Sequence, residues 1–365
     1  MTSISLPSDT ISVGIVLSAL QNKGPVNVVR AQIANRLDKK IKYIVILLGN
    51  NVEQSIVDEL QARNVTFHTL KGKGFLHQAK VLSDFVRQNQ ISVLHSHGAT
   101  ADLVTAFAKT RATKFTTVHN RLLEDYIPLF GYLRGCAYFL VHFLAYLLIP
   151  YRIACSTAVG DALAKYRLAH QVIANGVDTS VYFPVSPERR EELRKKYRLS
   201  ETGTNYIYCG SFIKRKNVEF LLKFLKLEPS DVFVLAGEGE LLDECRTMVR
   251  GDDRYRFLGQ ISACAELYQA SDCFVSSSKS EGLPLAVLEA YSCGARLLLS
   301  DIPSHREIAA KCGSDVQLFS ISDSEGCTQQ ITLPDESSER SASVFSAERM
   351  AAGYESFYNK FTYGV

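Results

Sequence analysis

The chain has little net charge. Its 365 residues carry 41 Lys and Arg against 38 Asp and Glu, a balance of +3. So small a charge gives no strong field for nucleic acid, and no nucleic-acid partner is expected. The nine cysteines contain no Cys-x-x-Cys pair and no metal-ligand spacing. A reduced cytoplasmic chain with buried thiols is expected in preference to a disulfide framework. No uninterrupted apolar run reaches the roughly 18 to 20 residues of a spanning helix. The N-terminus, MTSISLPSDTISVGIVLSAL, lacks a basic region and carries Asp9. It reads as a short tail entering a strand, not as a signal peptide. No Gly-x-Gly-x-x-Gly turn follows that strand in GIVLSALQNKG, which argues against a dehydrogenase. No repeat of 20 to 50 residues is seen.

What is present is globular: 46% hydrophobic and 22% charged residues. A chain of this length exceeds one ordinary core, so two domains are expected. Short runs rich in Val and Ile (ISVGIVLSAL, IKYIVILLG, ISVLHSHG, KFTTVHN) alternate with helical patterns such as NVVRAQIANRL and HQAKVLSDFVRQN. That alternation predicts a parallel sheet covered by helices. A second set follows: TNYIYCGSF, DVFVLAGEG, YRFLGQ, DCFVSSS and ARLLLSDI. Turn residues, prolines and a charged run place a linker near residues 178–200. The expected division is 1–180, 181–344 and a C-terminal helix over 345–365, compatible with a return to the first domain. Its apolar side is read as Phe345, Met350, Tyr354 and Tyr358. The polar stretch around 322–342 reads as loop.

Two similar α/β domains imply a cleft, with ligands beyond the carboxyl ends of the strands. Three stretches end there. In SKSEGLPLAVLEAYSCGA a strand leads into a loop, and Pro284 suits the first turn of a helix. Glu281 is placed in the loop and Glu289 on the helix, about eight residues or ~12 Å apart if helical. Such a pair of carboxylates can accept hydrogen bonds from vicinal hydroxyls at two ends of a ligand. The backbone between them, Gly282, Leu283 and Pro284, would face phosphate oxygens. The plainer alternative makes Glu281 a helix-dipole partner and Glu289 a surface residue. In YIYCGSFIKRKN, Gly210 precedes Lys214, Arg215 and Lys216 before a helix, the form of an anion site. A solvated basic run is the alternative. In KFTTVHN, His119 follows a buried strand, where it could bond a substrate hydroxyl or move a proton. A satisfied core histidine is the alternative. His95 and His97 are read as pointing to opposite faces of their strand, a poor chelating pair, so no metal is expected.

From about residue 11 to 360 the chain resembles the retaining glycosyltransferases of family 4. The signature is Glu-x7-Glu, present as Glu281 and Glu289, with GSFIKRKN, FVLAGEGE, YRFLGQ, LYQASDCFVSSS, VIANGVDTSVYFP and RIACSTAVGDAL in the family's order. The resemblance implies the GT-B fold, two Rossmann-like domains facing each other across a cleft. It implies that Glu281 holds donor-sugar hydroxyls and Glu289 the ribose hydroxyls. Arg215 and Lys216 would hold the diphosphate, and His119 would contact the donor sugar. Gly24 matches the N-domain glycine loop, whose usual second glycine is here Pro25. Many relatives have an arginine after the glycine matching Gly210, where this chain has Ser211. The implied reaction is metal-independent transfer from a nucleotide-sugar, with retention and no cofactor. The chain also lacks Asp-x-Asp, the metal-binding signature of the other major glycosyltransferase fold. A uridine diphosphate sugar is the expected donor, with guanosine diphosphate-mannose as the alternative. The expected acceptor is a polysaccharide or lipid-linked glycan in bacterial surface glycan or lipopolysaccharide synthesis. A nucleotide-sugar 2-epimerase of the same fold and a non-catalytic nucleotide-sugar-binding scaffold are the other readings.

Residues 135–151, GCAYFLVHFLAYLLIPY, hold no Lys, Arg, Asp or Glu. They read as either a buried helix or an interfacial patch. In the second case Arg121, Arg134 and Arg152 would meet anionic headgroups at the cytoplasmic face of the inner membrane.

Overall fold

A computed structural model describes residues 10–72, 74–261, 264–322 and 342–362. The stretch read as a polar loop around 322–342 thus lies almost wholly outside the described residues. In chain order the strands are β1 Ile11–Leu17, β2 Ile41–Leu47, β3 Thr66–Thr69, β4 Val93–His97, β5 Thr113–Val118, β6 Tyr151–Ala154, β7 Gln171–Val172, β8 Asn205–Cys209, β9 Val232–Ala236, β10 Tyr255–Gly259, β11 Cys273–Ser276, β12 Arg296–Ser300 and β13 Val316–Phe319. The helices are α1 Gly24–Ala34, α2 Gln54–Gln61, α3 Phe75–Gln88, α4 Ala99–Phe107, α5 Leu123–Phe130, α6 Tyr132–Leu148, α7 Thr157–Lys165, α8 Pro187–Lys196, α9 Val218–Phe224, α10 Leu242–Met248, α11 Cys264–Ala270, α12 Leu285–Ser292, α13 Pro303–Cys312 and α14 Ala347–Thr362.

Two compact units result. One comprises residues 1–126, 132–176 and 347–365; the other comprises 127–131 and 177–346. The first holds a sheet in the order β3-β2-β1-β4-β5-β6-β7, the second one in the order β10-β9-β8-β11-β12-β13. Among the described residues, every strand pairing within the two sheets is parallel. Parallel strands need helical crossovers, which bury both sheet faces. That explains the unbroken apolar runs: β1, β8, β9, β11 and β12 are buried along their whole length. Both units are doubly wound and Rossmann-like. Strand order reverses between β1 and β4 in one sheet and between β8 and β11 in the other. In such sheets the crevice beyond those strand ends is where ligands bind.

The C-terminal helix α14 packs on α1 within the first unit. Met350, Tyr354 and Tyr358 are buried on one side of it. Phe345 is buried too, but in a short 3-10 turn before the helix. Glu355 accepts the Leu37 and Asp38 N–H groups at 2.9 Å each, satisfying the chain just beyond α1.

Helix α6, which covers most of residues 135–151, has a buried face and an exposed face. Phe139, His142, Ala145 and Tyr146 face inward and are buried. Leu133, Leu140, Val141, Leu144, Leu147 and Leu148 are exposed, Leu133 at 83% and Leu140 at 64%. The inner face carries the polar group: His142 Nε2 lies 2.7 Å from Asp102 Oδ2, and its Nδ1 pairs with the Tyr126 hydroxyl. Ser96 and Thr116 donate to the other Asp102 oxygen at 2.6 and 2.7 Å. Among the described residues no helix is long and apolar enough to cross a membrane. Two of the three headgroup arginines are corrected. Arg152 is buried, donating to the Tyr146, Ile149 and Ala169 carbonyls, so it caps α6. Arg121 pairs with Glu124 at 2.6 Å and is 12% exposed in its side chain. Arg134 is exposed.

Candidate functional site

In the second unit the loops after β8 and β11 meet at the switch point. Gly210 begins the first of them. Its N–H donates to the Ala236 carbonyl at 3.0 Å, and a Cβ on Gly237 would fall 1.9 Å from the Gly210 carbonyl oxygen. Gly237 also has φ +136, so glycine is required there by both space and conformation. This explains the glycines of FVLAGEGE, whose loop packs on the Gly210 turn. The basic run is then stitched to the second loop. Lys279 N–H donates to the Arg215 carbonyl at 2.8 Å, and Ser277 Oγ donates to the Asn217 carbonyl at 2.7 Å. Asn217 takes the left-handed conformation (φ 54) just before α9.

Stitching brings three predicted residues together. Lys216 Nζ donates to Glu281 Oε1 at 2.5 Å, and Arg215 Nη1 donates to Oε2 at 2.8 Å. Ser278 Oγ adds a bond to Oε1 at 2.7 Å. Arg215 also donates to the Ser280 carbonyl. Glu281 is only 6% exposed. Burial opposes its charge, but the Lys216 and Arg215 cations outweigh it and hold the carboxyl well below the usual range. Among the described residues, Lys216, Arg215 and Ser278 occupy three of the roughly four acceptor positions of the carboxylate, leaving one on Oε2. Glu281 is therefore no simple helix-dipole partner. Ser278, which sequence reasoning passed over, is in turn fixed by Ser300, whose Oγ donates to the Ser278 carbonyl at 2.6 Å.

Gly282, Leu283 and Pro284, which follow Glu281 in the chain, are buried. Pro284 is not in the first turn of the helix. It is extended (φ −73, ψ 113) and caps α12, which begins at Leu285. The fixed φ of proline fits both positions, so sequence could not separate them. Glu289 falls in the second turn of α12 and is half-buried. The Tyr268 hydroxyl donates to its Oε2 at 3.3 Å. Tyr182 is beside it: burial raises that hydroxyl's pKa, and the Glu289 charge raises it further. Both tyrosines were missed, since neither is near Glu289 in sequence. Glu281 and Glu289 thus have separate sets of partners.

In the first unit Gly24 starts α1 after β1, and among the described residues no atom beyond its chain neighbours and its own helix backbone lies within 4 Å of where its Cβ would be. The unit's own packing does not demand glycine there. His119 follows β5, half-buried, with Nε2 2.9 Å from His97 Nδ1. Burial pushes His119 down to about 4 and His95 down to about 3. The opposite-face reading of His95 and His97 is corrected. Residues two apart on a strand share a face, and their ring centroids lie 4.4 Å apart. His95 is a satisfied core histidine, bonded to the Tyr358 hydroxyl at 2.5 Å and to Thr117 Oγ1 at 2.8 Å. Among the described residues no group of three or more His, Cys, Asp and Glu is arranged to hold a metal ion.

Comparison with known proteins gives the same picture for each unit. The family model "Glycosyltransferase Family 4" matches residues 26–181, and "Glycosyl transferases group 1" matches 189–315. The O-antigen biosynthesis glycosyltransferase WclY of Escherichia coli is 21% identical over 96% of this chain and 98% of its own. A UDP-Gal:alpha-D-GlcNAc-diphosphoundecaprenol alpha-1,3-galactosyltransferase of E. coli is 32% identical over 36% of each chain. The crystal structure of Anabaena HepE with UDP-glucose superposes with a TM-score of 0.72 at 17% identity, over 97% of this chain and 98% of that one. Matched along both units by glycosyltransferase models and sharing their doubly wound architecture, the chain is a glycosyltransferase of the GT-B fold.

Proposed function

We propose that the chain transfers a sugar from a nucleoside diphosphate sugar, a UDP-sugar, to a polysaccharide or lipid-linked glycan in bacterial surface glycan synthesis, with retained configuration and no metal or cofactor. The observation that carries this reading is the Lys216–Glu281–Arg215 cluster at the β8/β11 switch point. Two fixed cations there can take up the charge that develops on a diphosphate leaving group, the task a metal performs elsewhere. Glu281 keeps one acceptor position for a sugar hydroxyl. Glu289 and its tyrosines form a second polar point along α12 for ribose, with Gly210 and residues 282–284 as the backbone around the diphosphate. For the first unit, the family resemblance alone assigns His119 as a donor-sugar contact and Gly24 as the glycine of its loop. The UDP-glucose held by HepE and the undecaprenol-linked substrate in the galactosyltransferase's name favour this donor and this acceptor class. The test is transfer from labelled UDP-sugars to extracted lipid-linked glycan, with and without EDTA, and NMR of the product's anomeric centre. A retained, EDTA-resistant transfer is expected. An inverted product, or conversion of the donor without acceptor, contradicts it.

The exposed face of α6 fits a membrane-linked acceptor. Its leucines recur at 133, 140, 144 and 147, one stripe of the helix, and Arg134 is the cation on that helix available for anionic headgroups. We expect the protein to float with anionic liposomes. A Leu140→Ser, Leu144→Ser, Leu147→Ser variant should lose binding by more than about tenfold, given the apolar area each leucine buries. Failure of the wild type to float removes the peripheral-membrane claim at the cytoplasmic face.

A further inference from the structure

The first unit contains a pair of imidazoles that the reaction as described uses only by half. His97 ends β4 and His119 follows β5, neighbouring strands of the sheet. His97 Nδ1 and His119 Nε2 are 2.9 Å apart, and the two rings are stacked with centroids at 5.2 Å. Burial lowers the pKa of both, so both are neutral at physiological pH. Between two neutral imidazoles one nitrogen must donate and the other accept.

The rest of His97 decides which. Its Nε2 is buried and has no hydrogen-bond partner among the described residues. Were His119 Nε2 the donor, His97 would accept on Nδ1 and carry its proton on Nε2, leaving a buried N–H with nothing to receive it. In the reverse arrangement Nε2 is left with only a lone pair. Orphaned buried N–H groups are the rarer and costlier case. The favoured arrangement is therefore His97 Nδ1–H donating to His119 Nε2, with the His119 proton on Nδ1. His95 holds the ring of His97 in place. It packs 4.4 Å away with both of its own nitrogens engaged, so it offers His97 no competing bond.

We propose that His97 is a positioning residue that fixes His119 as its Nδ1–H tautomer, so that His119 meets an oxygen of the substrate as a neutral hydrogen-bond donor and not as a proton acceptor. The substrate half of this rests on the reading of His119 as the group beside the donor sugar. The tautomer half does not.

The test separates the two halves. Long-range 1H–15N NMR of 15N-histidine-labelled protein, assigned with His119→Ala, should show the His119 proton on Nδ1. A proton on Nε2 in the wild type overturns the proposal whatever the kinetics show. An asparagine amide nitrogen can stand near the Nδ1 position of a histidine, whereas that of glutamine stands near Nε2. His97→Asn should thus keep kcat within about threefold, while His97→Gln should lose about 10–100-fold in kcat with little change in KM and move the His119 proton to Nε2. Equal losses in both variants, with the tautomer unchanged, overturn the positioning role. If His97→Gln does not fold, the wild-type spectrum and His97→Asn still decide. Wild-type turnover in His119→Ala overturns the substrate half while leaving the tautomer measurement standing.

Discussion

Lys216→Ala is expected to lower kcat/KM by about 10²–10³-fold, the usual loss when one fixed stabiliser of developing negative charge is removed. The structure makes this variant informative because folding should survive it. Glu281 keeps Arg215 on Oε2 and Ser278 on Oε1 after the lysine is gone. The loop keeps the bonds of the Lys279 N–H to the Arg215 carbonyl and of Ser277 Oγ to the Asn217 carbonyl. The ammonium is a point charge on a flexible stem, so it can turn from Glu281 toward a diphosphate oxygen when the donor binds. Arg215 is less free to do so, since its Nη1 also holds the Ser280 carbonyl. Arg215→Ala should therefore cost more in Tm than Lys216→Ala, with activity lost in both. Steady-state kinetics and a melting curve on each purified variant check this. Near-wild-type turnover in Lys216→Ala contradicts the phosphate assignment.

Glu281→Gln carries the second large effect, on stability as well as rate. The neutral amide leaves two partly buried cations without their counter-charge, and breaking such a pair costs about 3–5 kcal/mol. Activity should fall below about 1% of wild type, through the lost hydroxyl acceptor and the disturbed cations. The pH dependence gives the sign. The folded carboxyl is held far below its reference value of 4.5. Near and just below that value the unfolded chain binds a proton that the folded chain does not. The stabilisation is therefore complete above the unfolded pKa and declines as pH falls through and below 4.5 toward the folded pKa. The gap in Tm between wild type and Glu281→Gln should be widest near pH 7 and narrow steadily from about pH 5 to pH 3. Melting curves over that range measure it. A gap that stays constant with pH means that Glu281 is not held charged by Lys216 and Arg215.

Much of this site could be read from the sequence because its parts are local. Strand, glycine, basic run and helix occupy residues 205–224, and strand, loop, Glu281 and helix occupy 273–292. Parallel strands announce themselves as apolar runs, so the central strands of both sheets were predicted. β3 and β13 were not, because they lie at sheet edges, are four residues long and are mostly half-exposed or exposed. The two-residue β7 is shorter still. The remaining gaps are pairings across long stretches of chain: His95 with Tyr358, Glu289 with Tyr182 and Tyr268, Glu281 with Lys216. Nothing in local periodicity encodes these. The shared face of His95 and His97 is different, for strand alternation alone requires it, and the opposite-face reading misapplied that rule. The sequence left α6 open between a buried helix and an interfacial patch because leucines and aromatics surround it on every side. Only its packing, with His142 turned inward to Asp102, separates an inner face from an outer one.

The most direct test of the donor assignment is thermal denaturation of the wild type with UDP, GDP and ADP, each with and without EDTA. A ligand that binds only the folded state raises Tm by mass action. UDP alone should raise it, to the same extent in EDTA, and the rise should shrink in Lys216→Ala. No rise with any nucleotide, or one that EDTA abolishes, would contradict metal-free capture of a uridine diphosphate by Lys216 and Arg215.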